Sequence, residues 1–262
     1  MEFNSLYLGD AVNLLQELPD ESIDLVVTSP PYESLRTYNN TLEGWTEDKW
    51  KTIIKNLYPK IKIGGVVVWV VNDKTIDGSK SLVSFKQALW FKECGFCVND
   101  VMIWNKPNYM PQISQPRYSD AFEYMFVFSK GKPKTFNPIK EPTKCSGKTY
   151  NSTAKNMDGE SGRHELNYIV NSEKTKSNVW DIGVAQNKTS HPAVFPYTIP
   201  YNHILSWTNE GDVVLDIFAG SGTTLMAAKE LRRKWIGFEI SKEYFDLALS
   251  RVSSVMVAES LY

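Results

Sequence analysis

Val213-Val214-Leu215-Asp216-Ile217-Phe218-Ala219-Gly220-Ser221-Gly222-Thr223-Thr224 reads as a buried strand, a glycine turn and the start of a helix. The apolar run from Val213 to Phe218 has strand length and little alternation, as expected of a parallel strand covered on both faces. Glycines at 220 and 222 let the backbone approach a ligand closely, in the crevice beyond the strand's carboxyl end. The third glycine of the dinucleotide fingerprint is missing, with Leu225 in its place, which disfavours NAD. Seventeen residues after Gly222, Glu239 falls near the end of a second strand, Trp235 to Ile240. A carboxylate there offers two acceptors to the two hydroxyls of a ribose. The alternative is a surface acid capping the helix that begins near Ser241.

Outward from this stretch the same alternation recurs. The N-terminal half predicts strands at Ser5–Leu8, Ile23–Thr28, Val66–Val71, Val98–Trp104 and Tyr124–Phe128. Helices are expected at Ala11–Leu18, Glu47–Pro59 and Ser81–Cys94. The C-terminal part adds helices at Ile199–Thr208, Thr223–Arg232 and Lys242–Val257. Strands alternating with helices predict an α/β fold, a mainly parallel sheet with helices on both faces. From Gly131 to about Ser190 the periodicity disappears, which suggests an inserted, partly irregular module.

Composition narrows the class without naming a function. The chain has 262 residues, 42% hydrophobic and 23% charged, the proportions of an ordinary globular protein. No apolar run approaches the length of a membrane span, and Met1-Glu2-Phe3-Asn4 lacks a signal pattern. Three cysteines, Cys94, Cys97 and Cys145, argue against a disulfide scaffold and for a reducing cytoplasm. Cys94-Gly95-Phe96-Cys97 has C-x-x-C spacing, but no second pair completes a zinc site, and no metal is expected. The net charge of −1 is unevenly spread: Lys130 to Lys188 holds eleven basic and six acidic residues, a balance of +5. The rest carries −6, an asymmetry that suits a polyanion surface or, as readily, a solvated loop.

Ser29-Pro30-Pro31-Tyr32 breaks the buried strand at its exit. Two prolines stiffen the backbone and remove two N–H donors, leaving a rigid row of acceptors. Such a row suits an exocyclic amino group, whose lone pair is otherwise delocalised into its ring. Accepting its two protons at Ser29 Oγ and the Pro30 carbonyl favours a tetrahedral nitrogen aimed at an electrophile. Tyr32 is placed to stack on the base face.

Together the two motifs resemble the amino-methyltransferase family of bacterial DNA modification enzymes. The order is that of the β arrangement, in which (D/S)PP(Y/F/W) precedes F-x-G-x-G. The resemblance covers roughly residues 5–130 and 190–250. It implies a Rossmann-like, seven-stranded methyltransferase sheet, circularly permuted so that the catalytic half (1–130) precedes the cofactor half (191–262). The basic middle, 131–190, becomes the target-recognition region. The catalytic motif falls on Ser29, Pro30, Pro31 and Tyr32. S-adenosylmethionine, the implied cofactor, is assigned to Asp216, Phe218, Ala219, Gly220, Gly222, Thr223 and Glu239, and to Ser29 beside them. His191, Pro192, Phe195 and Pro196 match the stretch that closes over it, and Asp10 an acid near its adenine.

Ser at the first catalytic position leans toward cytosine N4, whereas Asp or Asn there usually signals adenine N6. Cytosine C5 chemistry needs a thiolate, usually in a Pro-Cys pair, and no cysteine here follows proline. The implied partner is DNA with the target base flipped out. Arg36, Tyr38, Lys106, Tyr109 and Arg117 are candidate DNA contacts, with plain solubility as the competing reading. A homodimer and a cognate restriction endonuclease are further candidate partners, and the expected setting is a bacterial, archaeal or phage-infected cytoplasm. The rivals are adenine-N6 methylation, an RNA or protein-amide methyltransferase, and a DNA-binding module with a vestigial pocket.

Overall fold

A computed structural model describes residues 1–31, 45–111, 116–155, 163–184 and 196–256. In chain order the elements begin with β1 (Ser5–Leu8), α1 (Ala11–Glu17), β2 (Ile23–Thr28), α2 (Glu47–Lys60) and β3 (Ile61–Val71). A small hairpin, β4 (Thr75–Ile76) and β5 (Ser79–Lys80), leads to α3 (Val83–Glu93), β6 (Cys97–Asn105) and β7 (Phe122–Ser129). Then come β8 (Lys140–Pro142), β9 (Thr149–Lys155), β10 (Arg163–Ile169), β11 (Glu173–Thr175) and β12 (Val179–Asp181). The chain continues through α4 (Thr198–Trp207), β13 (Val213–Asp216), α5 (Thr223–Glu230), β14 (Lys234–Glu239) and α6 (Lys242–Ser253).

Local chemistry explains the boundaries. Asp10 caps α1 by accepting the Val12 N–H at 2.9 Å. Thr46 caps α2, with Glu47 and Asp48 placed favourably in its first turn. Trp50, Ile53, Ile54 and Leu57 of α2 follow the i, i+3, i+4, i+7 stripe and are all buried. Every residue of β2 is buried, as its mostly apolar run predicts for a central strand.

The first compact unit comprises Met1–Asn137 and Asn178–Tyr262. Its sheet runs β1-β14-β13-β2-β3-β7-β6-β12. Neighbours are parallel throughout except that β7 opposes both β3 and β6. The sheet is therefore mainly parallel, but it has eight strands where seven were expected. The extra strand is β12, Val-Trp-Asp, paired to Ile103–Asn105 of β6. Three residues inside a polar stretch carry no readable period, so the sequence hid it. Trp180 of β12 is buried and packs 4.7 Å from the His203 ring of α4. Neither His203 nitrogen has a partner among the described residues, and burial pushes its pKa down to about 3.

At the amino-terminal edge of the strands, Asp24 pins three elements. It accepts from Lys62 of β3 at 2.7 Å, from Lys134, and from the Val213 N–H of β13 at 2.9 Å. Burial opposes the charge, yet these hydrogen bonds win and hold the carboxyl below its usual range.

The second compact unit is Pro138–Ser177. β9 pairs antiparallel with β10, from Thr149↔Ile169 to Lys155↔Arg163. β8 pairs likewise with β11, from Lys140↔Thr175 to Pro142↔Glu173. Between them the backbone bonds Thr143 N–H to Ser172 O, Gly147 N–H to Val170 O and Val170 N–H to Lys148 O carry the pairing across an irregular stretch. The unit is thus one long two-stranded ribbon, more regular than the sequence suggested. Its short strands are interrupted by Gly, Pro and Lys, which masks the alternation.

Candidate active site

Chain direction locates the crevice. From β13 the chain passes through α5 to β14 on one side; from β2 it passes through α2 to β3 on the other. β13 and β2 are parallel neighbours, so their carboxyl ends flank the point where the winding reverses, the place where open α/β sheets bind ligands. Ser29-Pro30-Pro31 leaves β2 there, and Phe218 to Gly222 leaves β13 beside it. The proline turn and the glycine turn therefore share one edge of the sheet. Pro30 is buried, with Ser29 and Pro31 half-buried.

The glycine turn is held from several directions. Gly220 has φ +51° and Gly222 φ +78°, the left-handed region that disfavours other residues. At Gly222 a Cβ would also meet the Cβ of Ala248 at 3.0 Å and its Cα at 3.2 Å. The Ala219 N–H donates to the Phe238 carbonyl at 2.8 Å, and Arg251 of α6 donates to the Ser221 carbonyl at 2.6 Å. Phe218 meets Trp45 edge-on at 5.4 Å and Trp69 at 6.1 Å.

Glu239, at the end of β14, accepts the Gly220 N–H at 2.7 Å through Oε2 and the Ser241 N–H at 2.8 Å through Oε1. It is only 8% exposed, so it is no surface acid, although it does engage the start of α6. Burial raises its carboxyl above the ordinary range, against the pull of the Ser241 and Gly220 amides. With the Ile240 amide also directed at it, the carboxylate still has acceptor capacity to offer a ribose hydroxyl. Beside Phe218, the buried Trp45 Nε1 has no partner among the described residues, an orphan donor at the cofactor turn. These features fit a nucleoside-bearing ligand.

Asp10 reaches the same edge from β1, whose Leu8 pairs with Glu239. Both its oxygens are engaged, one by Val12 N–H and the other by Lys49 at 2.7 Å. Thr223 is buried at the start of α5, and buried Pro196 offers its carbonyl to the Ile199 N–H as α4 begins. Tyr32, Arg36, Tyr38, His191, Pro192 and Phe195 lie outside the described residues.

Two proposed DNA contacts fare differently. Lys106, a proposed phosphate contact, is already engaged within the fold. It pairs with buried Glu123 at 2.5 Å and lies over the Trp104 ring at 4.6 Å. Arg117 has a loose pairing with Asp120 at 3.7 Å, while its Nε and Nη1 lack partners among the described residues. Tyr109 is 44% exposed.

Sequence reasoning missed Thr28. Its hydroxyl donates to Asp216 Oδ1 at 2.6 Å, across the seam between the two motif strands. A polar residue closing an otherwise apolar run was the available signal. Asp216 is fully buried, and burial pushes its carboxyl up to about 6 despite hydrogen bonds from Thr28, Thr224 and the Phe218 amide. A raised folded-state pKa stabilises fully below the unfolded value near 4 and ceases to do so as pH rises through about 6. Between pH 7.5 and 4.5 the native protein should therefore gain about 2 kcal/mol relative to Asp216→Asn. Urea unfolding of both proteins at the two pH values measures this difference.

An open α/β sheet with a stiff acceptor turn and a glycine cradle at its switch point defines a nucleoside-cofactor transferase architecture. Comparison gives the particular family. Residues 23–250 match the family model described as DNA methylase, of the N6/N4 methyltransferases, and the chain belongs to that family. It is 44% identical to the orphan methyltransferase M.BamHII of Bacillus amyloliquefaciens, over 92% of this chain and 93% of that protein. It is 31% identical to the type II methyltransferase M.BglII of Bacillus subtilis, covering 95% of this chain and 69% of that one. Among solved structures, the M1.HpyAVI–SAM complex superposes with TM-score 0.64 at 26% identity, covering 95% of this chain and 98% of that one. The cytosine-N4-specific PvuII DNA methyltransferase shares the fold, with TM-score 0.69 at 24% identity over 100% of this chain and 89% of that one.

Proposed function

We propose that this chain transfers a methyl group from S-adenosylmethionine to the exocyclic amino group of a base flipped out of duplex DNA, cytosine N4 in preference to adenine N6. The observation that carries this reading is the adjacency of β2 and β13, which sets the proline turn beside the glycine turn. Membership of the DNA methylase family and the near full-length likeness to M.BamHII support it. When bound, S-adenosylmethionine supplies a methyl group on an electrophilic sulfonium. The glycine turn would hold it, Glu239 would take its ribose, and Asp10 would stand near its adenine. The stretch from His191 to Pro196 is assigned to the cofactor by the family resemblance alone, since only Pro196 of it lies among the described residues.

Ser29 Oγ and the Pro30 carbonyl accept the two amino protons, freeing the nitrogen lone pair and orienting it. Tyr32, outside the described residues, would supply the aromatic face for stacking on the base. Half-buried Phe218 and Trp45, with buried Trp69 behind them, give the glycine turn an apolar flank. The preference for cytosine rests on Ser29.

The ribbon Pro138–Ser177, within the basic 131–190 stretch, is assigned to target recognition. A two-stranded ribbon has the width of the DNA major groove. Lys144 and Lys148 are both exposed on it. Replacing both with Gln should reduce the slope of log K against log salt by about 1.8 without changing cofactor affinity. Filter binding across a salt series checks it. Arg117 is a second candidate phosphate contact. A homodimer, a partner endonuclease and a cytoplasmic location complete the reading. Among the described residues no helix is long and apolar enough to cross a membrane.

The test is direct. The protein is incubated with labelled S-adenosylmethionine and duplex DNA, which is then digested to nucleosides for mass analysis. N4-methylcytosine is expected. N6-methyladenine would overturn the base preference, and the absence of any methylated base would overturn the enzyme.

A further inference from the structure

The seam between the two motif strands opens early. β2 and β13 pair through Leu25↔Val214 and Val26↔Leu215, and the ladder between them goes no further. Each strand continues with its other neighbour, β2 with β3 to Thr28↔Trp69 and β13 with β14 to Asp216↔Gly237. Beyond Val26↔Leu215 no further ladder pair closes the gap between the two strand ends. Side chains bridge it instead. Thr28 Oγ1 donates to Asp216 Oδ1 at 2.6 Å, and the same oxygen accepts the Phe218 N–H at 3.1 Å. Thr224 Oγ1 at the start of α5 donates back to the Val27 carbonyl at 3.3 Å. All three side chains are buried, so water cannot substitute easily for a lost partner.

We infer that Thr28 is a positioning residue: its bond to Asp216 fixes the width of the crevice and so the separation between the Ser29-Pro30 acceptors and the Phe218–Gly222 cradle. This rests on the methyl-transfer reading above. Thr28 immediately precedes Ser29, and Asp216 lies two residues before Phe218, so the bridge spans the shortest path between the two turns. Each turn is anchored within its own half of the sheet, the glycine turn by Glu239 and Phe238, the proline turn by the β2–β3 ladder. Loss of the bridge should leave both turns formed and the distance between them loose. Methyl transfer between two bound groups is sensitive to such misplacement, since a shift of about 1 Å can cost about a hundredfold in rate. Cofactor binding, made mainly by the glycine-turn half, should be much less sensitive to it.

The experiment compares Thr28→Val, which keeps the shape and removes the hydroxyl, with Thr28→Ser, which keeps the hydroxyl. S-adenosylmethionine affinity by calorimetry, DNA affinity and single-turnover methylation are measured for each, with thermal unfolding as a check on folding. For Thr28→Val a loss of at least about tenfold in the single-turnover rate is expected, with both affinities within about threefold of native. Thr28→Ser should recover most of that rate. Native-like turnover by Thr28→Val would overturn the inference. So would equal losses in both variants, or a loss that follows cofactor affinity or melting temperature. Should the native protein itself methylate no DNA, the functional reading fails instead, and the two failures are separately visible.

Discussion

Ser29→Ala should lower the single-turnover methylation rate by about 10²–10³-fold while leaving cofactor affinity within about threefold of native. The alanine keeps the backbone that Pro30 and Pro31 stiffen, and Thr28 and its ladder to Trp69 remain in place. What is removed is one of two acceptors aimed at the amino protons. That hydrogen bond matters most as the nitrogen rehybridises, because a delocalised amine has little need of it before reaction. An interaction stronger in the transition state than in the ground state changes rate rather than binding. Rapid-quench single turnovers at saturating cofactor measure the rate, and titration calorimetry the affinity. A rate within about threefold of native would show that Ser29 Oγ accepts nothing important.

Glu239→Ala should weaken S-adenosylmethionine binding by about 10²–10³-fold, with a smaller change in rate at saturating cofactor. The carboxylate is asked to do two things at once. It holds the Gly220 and Ser241 N–H groups, and it offers its remaining lone pairs to the ribose. Truncation removes the ribose acceptors and leaves two buried amides without a partner, so the glycine turn loosens as well. Glu239→Gln separates the contributions, since its amide NH2 must face either an N–H or a hydroxyl at one of the two positions. It should fall between native and alanine. Cofactor titration for the three proteins checks this ranking, and equal affinity across them would remove Glu239 from the cofactor site.

Much of this architecture was legible because its central strands have no alternation to misread. Ile23–Thr28 appears as written, and Glu239 sits at a strand end as its spacing implied. The breaks at Pro30-Pro31 and Gly220–Gly222 mark both turns in the sequence itself. Short, partly polar elements were not legible. β12 escaped notice because three residues cannot display a period, and the ribbon Pro138–Ser177 because its pairing is interrupted near Thr143–Lys148. Predicted ends also drifted, with α6 ending at Ser253 instead of Val257. At the site, a sequence distinguishes residue types but not which neighbour each one meets. Lys106 and Arg117 look alike as cations in one loop, yet Lys106 pairs with buried Glu123 while Arg117 Nε and Nη1 are buried without partners among the described residues. Thr28 lies 188 positions from its partner, and only strand order brings the two together.

A crystal structure of the protein bound to S-adenosylmethionine would test the central idea most directly. The ribose should lie on Glu239 and the adenine toward Asp10, with the methyl carbon over the opening between Gly220 and Pro30, close enough for a base nitrogen to approach it at about 3–3.5 Å. A cofactor bound away from the glycine turn, or one whose methyl group faces away from Ser29 and Pro30, would contradict it.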